Sequence, residues 1–505
     1  MPTHSHHHNS YHGHHHSSHH KHHKSSRRRS RFADLKIVNA ALLVLYAVLA
    51  GLATYMMYAH HILAFRHLNV VYTIILVAIF ALCLTLSILK KSRVLTTVLL
   101  VVFSIIAAVF LFAFKSLVDV AHNMNETASY SEIEMSVVVP SNSSVNDVSD
   151  LTSVQAPTDA DGSNINELLS HIKSEKGVDL ATEKVDSYQA AYENLVNGSS
   201  QAMVFNSAYS SLLKMSYKNF QSNLKTIYSY KIKTSIKDEA KAHDSNVFNI
   251  YISGIDTYGS ISTVSRSDVN LILTVNMNTH KILMTETPRD AYVKIPDGGA
   301  DQYDKLTHAG IYGVETSEKT LENLYGITID YYARLNFDSF LKLIDALGGI
   351  TVYNSQEFTA LMNKKVYPVG NIELSSGEDA LAFVRERYSL EHGDYDRGNN
   401  QMKVIQAILN KLTSLNSVSN YSTIISNVQD SIQTDMKLDT MMKLVNTQLD
   451  SGKKFTVTSQ EVTGTGSTGE LTSYAMPSSS LYMIKLDDAS VAKASQAIKD
   501  VMEGK

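Results

Sequence analysis

The residues best suited to chemistry in this sequence are basic and amide side chains in the segment FVRERYSLEHGDYDRGNNQ. Two of its arginines are two positions apart, and residues with that spacing face the same side of an extended chain. Both guanidinium groups can then reach one ligand, and a planar guanidinium binds two phosphate oxygens at once. The spacing therefore predicts a phosphate-binding site. The candidate residues are Arg385, Arg387, Asp394, Arg397 and Gln401.

Two carboxylates at predicted strand ends form a second candidate group. Asp256 closes the strand pattern VFNIYISGID, and Asp268 opens the pattern SDVNLILTVNM. If these strands pair, both carboxylates meet at one edge of the sheet, with Arg266 beside them. Hard oxygen ligands suit Mg²⁺ (or Mn²⁺), whose remaining positions are filled by phosphate oxygens and water. Asp256 and Asp268 are therefore the predicted metal ligands.

Two further bases complete the predicted site. Arg289 follows the third strand pattern, KILMTETP, and Lys305 lies in DKLTHAG. The sequence has no Walker-type glycine loop, no Ser-His-Asp order with a nucleophile elbow and no metal-ligand histidine pair. Those absences argue against the P-loop, α/β-hydrolase and zinc-peptidase classes. The predicted pyrophosphate ligands are Arg266, Arg289, Lys305, Arg385, Arg387, Arg397 and Gln401.

Alternating strand and helix patterns must position these residues. From residue 245 to residue 505 the alternation predicts an α/β domain with a central sheet flanked by helices. Ser375 and Glu378 in SSGE predict a capping box that starts a helix ending near Arg385. The next predicted helix is NNQMKVIQAILNKL, with Gln401 in its first turn.

Residues 118–240 are predicted to form a small α/β accessory domain. The run ASYSEIEMSVVVP alternates like a strand, and INELLSHIKSEKG and YQAAYENLVNG are helical patterns that end in glycine. This region has no cluster of acids or histidines and no glycine-rich turn, so its predicted role is spacing or interaction. The charged segment KTSIKDEAKAHDSN is the predicted connector to the next domain.

Three uncharged, apolar stretches in residues 37–117 predict a membrane anchor. They are Ile37–Tyr58, Asn69–Leu89 and Val94–Phe114. Each reaches the roughly 20 residues that a helix needs to cross a bilayer. Bases concentrate before the first stretch and in the loop between the second and third, which predicts that both lie in the cytoplasm. The protein is thus predicted to cross the cell membrane three times, with its large C-terminal part extracellular.

Composition limits the other function classes. The net charge is −4, so the chain as a whole does not favour binding to a polyanion such as DNA. Residues 1–36 form the predicted cytoplasmic tail, which is rich in histidine and in bases. Clustered imidazoles can bind transition metals, but a flexible tail that helps to set the topology fits this low-complexity segment better. The single cysteine, Cys83, excludes an intramolecular disulfide and decides no compartment.

Four motifs together resemble the LytR–CpsA–Psr family. They are SRSDVNLILTVN, TPRDAYVKIP, DKLTHAG and VRERYSLEHGDYDRGNNQ, in that order and at similar intervals. The resemblance runs from about residue 244 to the C-terminus. Three spans and an accessory domain before it resemble the streptococcal capsule-locus subgroup in particular.

The resemblance implies a magnesium-dependent phosphotransferase. Such proteins take a polyprenyl-pyrophosphate-linked polysaccharide outside the membrane and attach it to peptidoglycan. The implied catalytic residues are Arg289, Asp268 and Asp394, with one acid helping to activate the incoming hydroxyl. The segment FDSFLKLIDALGG could line the lipid groove. One departure is Asn400, where many members of the family have arginine.

Three other functions are compatible with parts of the sequence. A transcriptional regulator would need a cytoplasmic DNA-binding element, and the basic tail and the loop KKSR are too short for a folded one. A scaffold would use the accessory domain to recruit other capsule-assembly proteins. A lipid pyrophosphatase would use the same predicted pocket with water as the acceptor.

Overall fold

The computed structural model describes residues 23–236, 246–255, 260–412 and 432–505. The predicted metal ligand Asp256, most of the predicted connector and most of the histidine-rich tail lie outside these residues. The chain divides into two compact units, Met1–Phe114 and Lys115–Lys505.

The first unit consists of apolar helices. Its helices are α1 (His23–Ala59), α2 (Leu68–Ile88) and the first part of α3 (Arg93–Ala128). Three stretches, Leu35–Ala59, Phe65–Ile88 and Arg93–Ala128, are long and apolar enough to cross a membrane. The third helix continues well past residue 117, where the predicted membrane region ended. The Tyr46 hydroxyl donates to the Leu76 carbonyl at 2.9 Å, so a polar group between these helices is satisfied within the protein.

The accessory domain begins the second unit after α3. Its elements are β1 (Tyr130–Pro140), β2 (Ser153–Ala156), α4 (Thr158–Lys176), β3 (Ala181–Lys184), α5 (Tyr188–Val196), β4 (Met203–Asn206), α6 (Ser210–Ser216) and β5 (Leu224–Ser235). The strands form one sheet in the order β3-β2-β4-β1-β5. Side chains alternate along β1, so Val137 packs in the cluster that contains Leu168 of α4, while Val138 packs with Leu212 of α6.

The C-terminal domain, residues 247–505, is built on a six-stranded sheet with the order β16-β11-β6-β7-β8-β17. Strands β6, β7 and β8 are antiparallel neighbours, whereas β11 and β17 run parallel to β6 and β8. The strands are β6 (Val247–Ile255), β7 (Ser267–Asn276), β8 (Lys281–Glu286), β9 (Tyr292–Ile295), β10 (Gln302–Lys305), β11 (Tyr331–Leu335), β12 (Ile350–Asn354), β13 (Phe358–Thr359), β14 (Val366–Tyr367), β15 (Gly370–Leu374), β16 (Ile432–Thr434), β17 (Thr456–Glu461), β18 (Gly464–Thr468) and β19 (Tyr482–Leu486).

Helices cover both faces of this sheet. One face packs on Leu321 of α8 and Ile498 of α13, and the other packs on Met402 of α11. Three apolar helices followed by two α/β domains therefore confirm the predicted fold class. The helices of the C-terminal domain are α7 (Leu306–Ala309), α8 (Val314–Tyr325), α9 (Phe337–Ala346), α10 (Gly377–Arg385), α11 (Asp394–Leu412), α12 (Leu438–Ser451) and α13 (Asp488–Met502).

Two helix N-termini differ from their predicted positions. The N-cap of α10 is Ser376, whose hydroxyl accepts a bond from the Asp379 amide at 3.2 Å, so Ser375 and Glu378 do not form the capping box. Helix α11 begins at Asp394, seven residues before Gln401, directly after Gly393 in the left-handed conformation (φ 57°). Glycine adopts that conformation without steric cost, so the chain can turn there and start the helix early.

Candidate active site

A cavity of about 580 Å³ lies between the central sheet and helices α9, α10 and α11. Much of its lining is apolar and comes from α9 and α11. The rest is charged or polar and includes most of the residues that the sequence predicted. Those residues are Arg266, Asp268, Arg289, Arg385, Arg387, Arg397 and Gln401. Side chains more than 130 positions apart in sequence therefore share one cavity.

The pairing of β7 with β8 brings Asp268 and Arg289 together. Asp268 lies at the start of β7 and Arg289 just after β8, and the antiparallel register opposes Leu271 and Glu286. Arg289 Nη1 lies 2.9 Å from Asp268 Oδ1, and the Thr307 hydroxyl donates to the same oxygen at 3.2 Å. This largely enclosed ion pair, with side chains 9% and 21% exposed for Arg289 and Asp268, forms the centre of the charged lining.

The charge on Asp268 is set by its basic neighbours. Burial alone would raise the pKa of this carboxyl, but Arg289, followed by Arg266 and Arg397, lowers it well below its usual range. The carboxylate is therefore ionised at neutral pH. Three guanidinium groups around a single carboxylate leave an excess of positive charge, which favours an anionic ligand.

The expected alternation at Arg385 and Arg387 is confirmed. Both arginines line the cavity, whereas Glu386 between them is buried elsewhere. Its carboxylate accepts bonds from the amides of residues 361, 387, 388 and 389. Burial would raise the pKa of Glu386, but these amide bonds, the one from Leu361 foremost, lower it below its usual value. The sequence interpretation missed Glu386, although the Arg-Glu-Arg alternation was the signal for it.

Aromatic rings support the same two arginines. The Arg385 guanidinium carbon lies 4.2 Å from the centre of the Phe337 ring, and that of Arg387 lies 4.6 Å from the Tyr388 ring. Both rings also line the cavity. A guanidinium stacked on a ring keeps its edge donors available for a phosphate.

Helix α11 contributes Arg397 and Gln401, which are four residues apart and hence on one helix face. A second, much smaller cavity of about 10 Å³ adjoins the first and is lined by the same two residues together with Glu286. A space of that size holds about one water molecule. A Cβ at Gly398 would lie 2.9 Å from Glu286 Oε1, so this glycine lets α11 approach β8 closely. Glu286 was also missed from sequence.

Lys305 was predicted to be a pyrophosphate ligand, but the structure places it outside the cavity. Its ammonium group is buried 2.5 Å from Asp290 Oδ1. Asp290 Oδ1 also lies 3.8 Å from Arg289 Nε. Lys305 thus lies behind Arg289 and neutralises the acid beside it. The sequence could not separate these two roles, because a buried ion pair and a ligand contact both need a base here.

The rest of the motif DKLTHAG also shapes the site from behind. Asp304 accepts bonds from Ser473 at 2.7 Å and from the Ala475 amide at 2.8 Å, and pairs with His308 at 2.9 Å. A Cβ at Gly310 would lie 2.6 Å from the Ser265 carbonyl. Only glycine therefore lets this turn pack against the loop that carries Arg266.

The described residues fit a hard divalent cation only in part. Outside the gaps in the described chain there is no group of three or more His, Cys, Asp or Glu side chains that could hold a metal. Asp268 is ionised, and the bonds from Arg289 and Thr307 both use Oδ1, so neither occupies Oδ2. One or two carboxylates completed by phosphate oxygens is the ligand set that Mg²⁺ prefers. The roles of Asp256 as a ligand and of Asp394 as a catalytic acid remain predictions.

Comparison with known proteins gives two family matches. Residues 202–489 match a family model described as the LytR_cpsA_psr family. Residues 90–205 match a model described as DNA polymerase processivity factor. The first match spans more than half of the chain. The second covers less than a quarter, includes the apolar helix α3, and does not assign the accessory domain to that family.

Individual relatives are similar over about half of the chain. The polyisoprenyl-teichoic acid–peptidoglycan teichoic acid transferase TagU of Enterococcus faecalis is 33% identical over 278 residues, 54% of this chain and 86% of that protein. TagU of Halalkalibacterium halodurans is 34% identical over 220 residues, 43% of this chain and 70% of that protein. A crystal structure of a Streptococcus agalactiae protein is 28% identical, covers 53% of this chain and 92% of that chain, and has a TM-score of 0.46. By the extent of its family match, this chain belongs to the LytR_cpsA_psr family.

Proposed function

We infer that this protein transfers a glycopolymer from a polyprenyl-diphosphate carrier to peptidoglycan, with a capsular polysaccharide as the predicted polymer. The observation that carries the inference is the cavity itself, in which five arginines adjoin an extended apolar lining. A ligand that matches it has a strongly anionic group joined to a long hydrocarbon. A lipid diphosphate has both. The relatives named as teichoic acid transferases support the same class of reaction.

The apolar lining supports a lipid rather than a nucleotide. Phe337, Phe340 and Leu343 face the cavity from α9, and Ile405 and Ile408 face it from α11. Burying hydrocarbon against such side chains is favourable by about 25 cal/mol for each Å² removed from water. A purely polar ligand would gain nothing there. The predicted role of FDSFLKLIDALGG in lining a lipid groove agrees with the contacts of α9.

The proposed reaction is a displacement at phosphorus. An acceptor hydroxyl of peptidoglycan forms a bond to the sugar-linked phosphorus, the bridging P–O bond breaks, and the lipid phosphate leaves. Arg266, Arg289 and Arg387 neutralise charge on the departing phosphate. An acid of the site accepts the hydroxyl proton, and Asp268 and Asp394 are the acids among the predicted catalytic residues. Since the donor already contains a phosphoanhydride bond, no ATP is consumed.

Mg²⁺ (or Mn²⁺) is part of the proposal. Asp268, with the predicted ligand Asp256, would hold the ion. When bound, the ion supplies further neutralisation of phosphate charge. Asp268 also orients Arg289 through the 2.9 Å ion pair, which is a role that does not depend on the metal.

The proposed location is the outer face of the cell membrane. The three apolar helices are suited to anchoring the protein. Bases before the first apolar stretch and between the second and third predict a cytoplasmic N-terminus, which puts the second unit outside, where peptidoglycan lies. A regulator that reads DNA would leave the cavity without a role.

Hydrolysis is the second candidate function. The cavity of about 10 Å³ beside Asp268 and Arg289 has room for one water, which could replace the acceptor hydroxyl. The products distinguish the two reactions. Transfer yields polymer bound to peptidoglycan, whereas hydrolysis releases the soluble sugar phosphate.

The test uses the full chain in detergent with a labelled lipid-diphosphate glycan and purified peptidoglycan. We expect label to become insoluble with the peptidoglycan, and we expect Arg289→Ala to reduce the rate by about 10³-fold. Lys294→Ala is the control, because this base is exposed on β9 and does not line the cavity. Label released at the same rate without peptidoglycan would establish a hydrolase and refute the transferase.

A further inference from the structure

The accessory domain contributes a side chain to the cavity. Met215, near the end of α6, lines the cavity although it lies outside the C-terminal domain. Arg266 Nη1 donates to its sulfur at 3.0 Å. Arg266 is itself buried, whereas Met215 is 47% exposed. Met215 therefore forms part of the cavity wall, where its half-exposed thioether lies beside the buried guanidinium of Arg266.

The accessory domain also holds the loop that carries Arg266. The Glu132 amide of β1 donates to the Ser262 carbonyl at 3.0 Å, and the Val264 amide donates to the Glu132 carbonyl at 3.1 Å. From the other side, Arg334 Nη2 donates to the Thr263 carbonyl at 3.0 Å. The loop is thus bonded to both domains, so the distance between α6 and Arg266 is set by the interface.

Further contacts keep α6 against the C-terminal domain. The Ser216 hydroxyl, adjacent to Met215, lies 2.8 Å from the Ser479 hydroxyl. Gln189 of α5 donates to the same hydroxyl at 2.9 Å. Val264 and Met476 pack inside the apolar cluster of the accessory domain. Met215 is therefore held at the cavity by a packed and hydrogen-bonded interface.

We propose that Met215 is a specificity-determining residue, and that its side chain contacts the isoprene unit next to the diphosphate of the lipid carrier. This proposal rests on the proposed function. Met215 adjoins Arg266, which would bind the diphosphate, and the cavity lining contributed by β6 and β7 includes the apolar residues Ile252, Ile255 and Val269. The first hydrocarbon after the diphosphate would lie at that junction. A thioether is a weak acceptor, so a phosphate oxygen readily replaces it on Arg266.

The experiment measures binding to the full chain in detergent with two soluble probes, farnesyl diphosphate and methyl diphosphate. Only the first has isoprene units. Met215→Ala should weaken farnesyl diphosphate binding by about tenfold, as loss of a small apolar contact does, and leave methyl diphosphate binding within twofold. Met215→Leu, which keeps the apolar bulk, should recover most of the lost affinity.

The control is Met362→Ala, because Met362 is 50% exposed and does not line the cavity. Its affinities for both probes should equal those of the unmodified protein. Since Met215 is half-exposed, its truncation should leave the thermal midpoint unchanged. An affinity for farnesyl diphosphate within twofold of the unmodified protein, or equal losses for both probes, would overturn the proposal.

Glycan transfer measured on the same preparations separates the two ideas. If the unmodified protein transfers no glycan but Met215→Ala still binds farnesyl diphosphate tenfold more weakly, the transferase proposal fails and the isoprene contact stands. If the unmodified protein transfers glycan but Met215→Ala binds farnesyl diphosphate as tightly as the unmodified protein does, the transferase proposal stands and the isoprene contact is refuted.

Discussion

The accessory and C-terminal domains are both sheets covered by helices, but they bury different side chains. The accessory domain packs apolar residues on both faces of its sheet. In the part of the chain that the structure describes, every buried charged residue lies in the C-terminal domain. These are Arg266, Glu286, Asp290, Asp304, Lys305, Glu318, Asp330, Arg334, Glu386 and Arg397.

That difference agrees with the proposal that the C-terminal domain binds the ligand. Burying a charge costs free energy unless it is paired, and a core built only for stability does better with apolar residues. In the C-terminal domain, Arg266 and Arg397 bear this cost at the large cavity and Glu286 bears it at the small one beside it, whereas the other seven line neither of these cavities. The described residues of the accessory domain include no fully buried charge, yet through Met215 and the backbone of Glu132 this domain contacts the Arg266 loop.

The largest expected effect is at the central ion pair. Asp268→Asn should reduce transfer by about 10³-fold, because Arg289 loses its partner and the predicted metal loses a ligand. The matched change in the accessory domain is Asp159→Asn, whose exposed partner Lys184 lies 2.5 Å away. It should leave the rate within twofold, as exposed pairs contribute little. Equal rates for both variants in the peptidoglycan assay would contradict the assignment of the site.

The next effect concerns the buried base behind the Arg266 loop. Burial lowers the pKa of Arg334 to about 10, so it remains a cation at neutral pH. It donates to the carbonyls of Ile261 and Thr263. Arg334→Met should lower the free energy of unfolding by about 3 kcal/mol, since these buried acceptors lose their donor.

The measurement is the urea midpoint of the full chain in detergent. Lys231→Met is the accessory-domain counterpart, because this lysine is exposed and pairs with Glu132 at the surface. Its effect on the free energy of unfolding should be much smaller, because exposed ion pairs contribute little. If Arg334→Met lost less stability than Lys231→Met, the buried guanidinium of Arg334 would not stabilise the fold.

A third prediction concerns pH. Burial, helped by Asp396 and opposed by the bond from Asn399, raises the pKa of Glu461 to about 7. The folded protein then holds a proton that the unfolded chain releases near pH 4.5. This stabilisation is fully present below that pH and is lost as the pH rises through 7. Because the residue is partly exposed, the loss should be about 1–2 kcal/mol after solvent screening.

Thermal unfolding between pH 4.5 and 8 checks this expectation. Glu461→Gln should flatten the decline, because glutamine has no proton to lose. Glu183→Gln, at an exposed position of β3 in the accessory domain, should leave the pH profile as it is. An unchanged slope in Glu461→Gln would assign the decline to other groups.

The smallest effect compares two helix caps. Ser376 caps α10 and Ser187 caps α5, each accepting one amide bond at 3.1–3.2 Å. Replacing either with alanine should cost about 1 kcal/mol of stability. Only Ser376→Ala should also weaken ligand binding, because α10 ends at Arg385. Equal binding losses in both variants would mean that helix position does not affect the site.

Much of the C-terminal domain could be predicted from local pattern. Strand patterns in the sequence identified β6 and β7, and the spacing of Arg385 and Arg387 predicted that both face one ligand. These features depend on neighbours along the chain, which is why the sequence reveals them. The start of α11 was predicted too late, because the segment DYDRG, residues 394–398, resembles a loop until the packing of Gly398 against β8 is known.

Residue chemistry and spacing alone determined the apolar helices, the alternation of strands and helices, and a set of arginines that line one cavity. Only the tertiary structure decided that Lys305 pairs with Asp290 behind the site, that Glu386 anchors the loop between two arginines, and that Met215 reaches the cavity from another domain. The physical reason is distance along the chain. Local preferences act over a few residues, whereas burial and pairing depend on which distant segments fold against each other.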